Sequence, residues 1–138
     1  MELSLRKLEL MNACQQGIEM YKRLGCPDTV ESAVTLAMSA GEFNNCNWLL
    51  TNVFTKEQHV KYALYAARAV LHIYEAKYPG DSRPRAAIEA AEEYLRNPSD
   101  AAAWAAAWAA AAWAAAAAWA ADVKQDIINY GLTLLKGE

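Results

Sequence analysis

Residues 55–97 read TKEQHVKYALYAARAVLHIYEAKYPGDSRPRAAIEAAEEYLRN, and this stretch decides the fold. Thr55 and Gln58 have the spacing of a capping box, and the apolar residues after them recur every three or four positions, as on one face of a helix. The helical pattern stops at YPGD and resumes with Pro84 in a first turn, where the missing amide hydrogen costs little. The stretch therefore predicts two helices joined by a short turn.

Helical signals also divide the rest of the chain, and strand signals are nearly absent. Residues 4–24 predict one helix that ends at the letters GCPD. Asp28 and Glu31 have capping-box spacing and open a second helix, which Gly41 ends, and the segment EFNNCNWLLTNVF predicts a short third one. We predict an all-α fold, a single-domain bundle of about six helices over residues 1–138 with a central Ala/Trp-rich helix.

The central helix is predicted from residues 99–122, SDAAAWAAAWAAAAWAAAAAWAAD. Every residue between Asp100 and Asp122 is alanine or tryptophan, and alanine has the highest helix propensity of all residues. A membrane span is the alternative, because the stretch is long enough to cross a bilayer. The residues that insert best, leucine, isoleucine, phenylalanine and valine, are missing from it, so we favour a buried helix with no membrane partner.

Three tryptophans, Trp104, Trp108 and Trp119, share one side of this predicted helix at about 100° per residue. Such a side can pack in a core, which is the simpler interpretation, or can sandwich the base of a ligand. If the side is exposed it needs cover, and tryptophan is favoured at interfaces. We therefore treat these residues as candidate binding residues and expect a homo-oligomer if they lie at the surface.

Charge and cysteine content narrow the classes of function. The 138 residues carry a formal net charge of -3, which disfavours a general nucleic-acid binder, because such proteins need a basic field. The three cysteines, Cys14, Cys26 and Cys46, are odd in number and form no CxxC pair, so we expect reduced thiols that pack as small buried hydrophobes. The N-terminal segment lacks the apolar core of a signal peptide, and we expect a cytoplasmic protein.

Catalytic motifs are missing from the sequence, which predicts a non-enzymatic protein with no metal and no cofactor. There is no Gly-rich phosphate loop, no nucleophile elbow, no HExxH and no Cys/His spacing suited to zinc. His59 and His72 lie thirteen residues apart on one predicted helix, whereas a metal-binding helix places two histidines four apart. We expect His59 at the surface and His72 packed or hydrogen-bonded.

One polar cluster surrounds the start of the helix that follows YPGD, and it has two interpretations. Arg83 and Arg85 lie near free backbone amides and could hold a phosphate or carboxylate, because the guanidinium fork and the helix dipole both favour anions. Alternatively Asp81 or Ser82 caps the helix, Arg83 ties the loop to another helix and Arg85 pairs with Glu89. We favour the structural interpretation and keep Asp81, Arg83 and Arg85 as candidate binding residues.

The order CQQGIEMYKRLGCPDTVESAV, NWLL, ALYAARAVLHIYEAKYPGDSRPRAAIEAAEEYL and an Ala/aromatic helix resembles the immunity proteins of bacterial toxin systems and related phage genes. The resemblance runs from about Cys14 to Ala121. Trp48 is a second marker, and the most specific element consists of Asp81, Arg83, Pro84, Arg85, Ala87, Ile88 and Glu89. Members usually scatter charged residues through the Ala-rich region, and here that region is uncharged.

This resemblance implies an all-helical, non-enzymatic protein that neutralises a toxin or defence component in conflicts among bacteria, phages and plasmids. Our first hypothesis is therefore an immunity or inhibitor module that binds a protein partner. The second is a protein that sequesters a nucleotide-like small molecule and so counters host defence, with aromatic rings on the base and arginines on the phosphates. An enzyme is the third and least supported.

Overall fold

The computed structural model describes residues 1–98 and 123–137. Helices account for 74% of this part of the chain, and its only strand-like pairing is one antiparallel bridge between Glu2 and Thr29. The predicted all-α class is confirmed. The seven helices of the described residues are α1 (Leu5–Leu10), α2 (Gln15–Arg23), α3 (Val30–Ser39), α4 (Phe43–Val53), α5 (Lys56–Lys77), α6 (Arg83–Arg96) and α7 (Lys124–Leu135).

The single helix predicted over residues 4–24 is wrong, because the chain breaks it into α1 and α2. Asn12 has a φ of 58°, in the left-handed region that asparagine enters more readily than most residues. The amide of Ala13 then bonds back to the carbonyl of Leu8 at 3.0 Å and closes α1. Cys14 starts α2 as its N-cap, with its sulfur accepting a hydrogen bond from the amide of Gly17 at 3.4 Å.

The two predicted capping boxes have different outcomes. At α5 both hydrogen bonds form: the Gln58 amide donates to Thr55 Oγ1 at 3.2 Å, and the Thr55 amide donates to Gln58 Oε1 at 2.9 Å. At α3 the cap is Thr29 rather than Asp28, because Thr29 Oγ1 accepts the amide of Ser32 at 3.1 Å. Glu31, the predicted partner of Asp28, instead binds the N-terminal ammonium of Met1 at 3.0 Å.

The chain forms two compact units. The first, unit 1, contains Met1–Phe54 and Gly131–Glu138, and in it α3 packs on α4 and α1 contacts α2. The second, unit 2, is Thr55–Tyr130, and in it α5 packs on α6. The fully buried side chains at the centres of the two cores are those of Leu50, Val30, Val34 and Cys46 in unit 1, and of Val60, Ile127 and Ile128 in unit 2. One domain over residues 1–138 stays a prediction.

The cysteines do not share one environment, although all three are free thiols. Cys46 is buried as predicted and donates to the carbonyl of Val34 at 3.4 Å, and burial raises the pKa of its thiol to about 12. Cys14 and Cys26 are exposed, so their predicted burial is wrong. Cys14 caps a helix, and Cys26 has a φ of 53° in the turn between α2 and α3. Both are exposed because they lie at the ends of helices rather than on buried faces.

The histidines of α5 also differ from expectation. His59 is half-buried rather than at the surface, and this burial lowers the pKa of its imidazole. His72 is exposed, so the prediction that it is packed is wrong. It lies four residues after Arg68 and three before Glu75, so it shares their face of α5.

Candidate functional site

Asp81 is the centre of the polar cluster between α5 and α6, because its carboxylate accepts four hydrogen bonds. Oδ1 accepts from the backbone amide of Arg83 at 3.0 Å and from its Nε at 2.9 Å. Oδ2 accepts from Nη2 of Arg83 at 2.7 Å and from the hydroxyl of Tyr74 at 2.6 Å. One side chain in the turn is therefore bonded both to the last turns of α5 and to the first residue of α6.

These contacts shift the protonation equilibria of all three partners. The guanidinium of Arg83, then the hydroxyl of Tyr74, hold the pKa of Asp81 well below its usual range. The same pairing raises the pKa of Arg83, and the hydrogen bond to Asp81 raises that of the Tyr74 hydroxyl. The cluster is thus an ion pair with a neutral donor added to it, and Asp81 stays ionised at neutral pH.

The local sequence explains why the chain turns here. The amide of Asp81 donates to the carbonyl of Tyr78 at 3.1 Å, and Pro84 is buried at the second position of α6, where it needs no amide partner. Ser82 is the N-cap by position, but its side chain makes no capping hydrogen bond. Of the two predicted caps, Asp81 is the one that accepts an amide of the first turn.

Arg85 connects α6 to α5 through Glu75. Its Nη2 lies 2.7 Å from Glu75 Oε1 and its Nε lies 3.1 Å from Oε2, a bidentate pair that lowers the pKa of Glu75. The predicted partner, Glu89, exerts only an electrostatic pull on Arg85. Arg85 pairs with Glu75 of the neighbouring helix rather than with Glu89, because an arginine four residues before a glutamate is the less favourable order within one helix.

A second charged pair, Arg68 with Glu92, joins the same two helices at 2.5 Å. On α5, Arg68 precedes Glu75 by seven residues, and on α6, Arg85 precedes Glu92 by seven residues. The two pairs are therefore two helical turns apart on one seam, with opposite charge order, and a shift of one turn would remove both. We call them the two seam pairs.

Sequence reasoning missed the seam pairs, because it paired Arg85 with Glu89 of its own helix. The signal that would have found them is the repeat of opposite charges at seven-residue spacing on both sides of the turn. Within α6, Glu93 pairs with Arg96 at 2.7 Å.

The candidate binding residues fall into two groups. Arg83 and Arg85 are both engaged in bidentate bonds to carboxylates, with Asp81 and Glu75. That arrangement agrees with the structural interpretation, and binding of an external anion by them stays a prediction. Trp104, Trp108 and Trp119 lie outside the described residues, as does the predicted central helix, and self-association through these rings also stays a prediction.

Apolar groups are exposed along α5 and at its end. Tyr65 and Ile73 are 36% and 42% exposed, and Tyr78 at the end of the helix is 48% exposed. The ring of Tyr65 stacks on that of Tyr130 with centroids 4.2 Å apart, so it is fixed in place. The charged side chains of the seam are occupied internally, and apolar and aromatic groups remain available for contact on this hairpin.

Metal binding and membrane insertion gain no support from the described part of the chain. Within residues 1–98 and 123–137, no three His, Cys, Asp or Glu side chains are grouped so that they could hold a metal ion. No helix there is both long enough and apolar enough to cross a bilayer.

Comparison with known families decides what kind of protein carries this hairpin. The family described as Imm-5 like putative immunity protein matches residues 49–128, more than half of the chain. The chain belongs to this family. The Imm-5 like match contains α5, α6 and the whole Asp81 cluster, so the resemblance to immunity proteins is confirmed. Comparison with curated proteins and with solved structures gave no match.

The lowered pKa of Asp81 predicts how stability depends on pH. A carboxyl whose folded-state pKa lies below its ordinary 3.8 stabilises the fold above that pH, and this contribution is lost as pH falls toward the folded-state value. We expect Asp81→Asn to lower the melting temperature at pH 7, and the difference from wild type to shrink at pH values below 3.8. Thermal melts between pH 7 and pH 2 measure this.

The exposed Glu9→Gln on α1 is the control for Asp81→Asn, because it removes one carboxylate outside the cluster. A melting difference that is absent for Asp81→Asn, or that stays constant across the pH series, would contradict the assigned role of Asp81.

The seam pair of Glu75 and Arg85 predicts a charge-swap result. Glu75→Arg alone or Arg85→Glu alone places like charges at the seam and lowers the melting temperature. The double swap restores the pair, and it also puts a cation in the last turn of α5 and an anion in the first turn of α6, which suits both helix dipoles. We expect the double variant to melt at or above the wild-type temperature in low salt. The pairing is refuted if the double variant loses as much melting temperature as the two single variants together.

Proposed function

We propose that this protein is a non-catalytic immunity protein that neutralises a toxin or defence component by binding it, in conflict among bacteria, phages and plasmids. The observation that carries the proposal is the Imm-5 like match over residues 49–128, which contains the complete α5–α6 hairpin.

The construction of the hairpin supports a binding role. The turn at Asp81 and the two seam pairs fix the surface of α5 before any partner arrives, and a preorganised surface loses little conformational entropy on binding. The exposed groups include tyrosines, Tyr65 and Tyr78, a residue type enriched in protein interfaces.

Sequestration of a nucleotide-like small molecule, the alternative from the sequence, has less support. It requires arginines that hold phosphate, and Arg83 and Arg85 instead hold Asp81 and Glu75. The free thiols of Cys14, Cys26 and Cys46 support a cytoplasmic location, where disulfides are rare. We therefore propose a cytoplasmic protein partner.

A toxin selection followed by a titration tests the proposal. Bacteria that express the full chain are transformed with a library of inducible toxin genes, and toxins that kill only the cells lacking the chain are purified. We expect residual toxin activity in vitro to fall linearly with added chain and to reach zero at a fixed whole-number molar ratio, because the inhibitor is consumed by binding.

Two outcomes contradict the proposal. One is a library in which the chain protects against no toxin. The other is complete inactivation of a toxin by far less than one equivalent of the chain after longer incubation, which would indicate turnover. Heat-unfolded chain in equal amount is the control for non-specific loss of toxin activity.

A further inference from the structure

Unit 1 contains a cavity of about 50 Å³ that is separate from the Asp81 cluster. Its inner wall is apolar and includes the buried Met20, Val34 and Leu49. Half-buried residues complete the lining where it approaches solvent, among them Gly17 of α2 and Asn45 and Trp48 of α4. The cavity is thus an apolar pocket with a mouth between α2 and α4.

Three of the four polar side chains that line the pocket donate hydrogen bonds to other partners. The amide nitrogen of Asn45 donates to Glu42 at 3.0 Å, the hydroxyl of Tyr21 donates to the carbonyl of Pro27 at 2.9 Å, and the thiol of Cys46 donates to a backbone carbonyl. A buried water needs two to four polar partners, and cavities without them stay empty. The pocket therefore favours an apolar occupant over water.

Gly17 affects how wide the pocket is at its mouth. It is the third residue of α2, and it is not among the glycines with positive φ, so its backbone does not require glycine. A Cβ added there would meet Cys14 Sγ at 3.6 Å and Asn45 Oδ1 at 3.9 Å, which are ordinary contact distances. Alanine would fit and would favour the helix, whereas glycine leaves the mouth of the pocket wider.

The size of the pocket limits what can occupy it. A volume of about 50 Å³ has room for about three or four water-sized groups. A free ligand with so few heavy atoms reaches a dissociation constant of roughly 10⁻³ to 10⁻⁵ M at best. The same group gains more when it belongs to a larger interface, where a single side chain that fills a pocket acts as an anchor.

We infer that this pocket binds the aliphatic end of one side chain of the protein partner, of the size of a valine or leucine terminus. The inference rests on the proposed function and deepens it by naming the chemistry of one contact. The lining residues run from Leu3 to Leu49, whereas the Imm-5 like match begins at residue 49. The pocket therefore lies in the part of the chain where contacts particular to its own partner are expected.

The first arm of the test asks whether the pocket takes an aliphatic group, and it needs no partner. Isobutanol is titrated into the labelled full chain, with glycerol as a polar molecule of similar size, and the NMR signal of the Trp48 indole N–H is followed. We expect a saturable shift with isobutanol, with a dissociation constant of about 1 mM or weaker, and no saturable shift with glycerol.

Two variants fill the pocket from different walls, Gly17→Leu from α2 and Ala37→Leu from the buried side of α3. Gly80→Leu is the matched control, because Gly80 lies in the hairpin turn with nothing within 4 Å of an added Cβ. We expect both filled variants to lose the isobutanol shift while remaining folded, and the control to keep it. No saturable shift in the wild type, or an equal shift in the filled variants, would overturn the assignment.

The second arm uses a toxin recovered in the selection. We expect the filled variants to need at least ten times more chain than wild type, or than Gly80→Leu, for half-neutralisation at limiting toxin concentration. If both variants are folded and neutralise the toxin at the same concentration as wild type, a partner side chain does not occupy the pocket. If no toxin is neutralised, the proposed function fails and the partner contact with it, while the isobutanol arm separately decides the chemistry of the pocket.

Discussion

The carboxylate of Asp81 is the constraint on which the hairpin depends. It accepts hydrogen bonds from the first residue of α6 and from Tyr74 near the end of α5, so it fixes where one helix ends and the next begins. Once the turn is fixed, Arg85 faces Glu75, and seven residues farther along the seam Glu92 faces Arg68. Each exposed pair stabilises the fold little by itself, but both pairs form only in one register of α5 against α6.

Much of the hairpin could be predicted from local sequence, because its ends are set by short-range chemistry. The Thr55 capping box and Pro84 act within a few residues, and the structure has them as predicted. The partner of Arg85 could not be predicted in the same way, because Glu75 lies on another helix and meets it only when the register is known. The break at Asn12 was missed because a left-handed residue leaves the surrounding apolar pattern unchanged.

The site shows the same division between local and tertiary effects. Asp81 and Arg83 were chosen from sequence for their charge near a helix start, and the structure joins them directly. Tyr74 was not chosen, since nothing in its spacing reveals that its hydroxyl reaches Asp81. The pocket lined by Gly17 and Trp48 was also beyond sequence reasoning, because a cavity is what remains after four helices pack.

The family match and the pocket suggest two roles for two parts of the chain. The matched residues hold the α5–α6 hairpin, whose two seam pairs join its helices. The pocket in unit 1 lies outside the match except at Leu49, and its lining is mostly apolar. A stable element and a separate contact surface in one chain allow one fold to serve different partners.

Native-state hydrogen exchange on the full chain tests the central claim that α5, the turn and α6 form one cooperative unit closed by Asp81. The slowest amides of α5 and α6 should open with the same free energy, and Asp81→Asn should lower both by the same amount. The account is contradicted if α6 opens at lower free energy than α5, or if the substitution loosens α6 while the protection of α5 is unchanged.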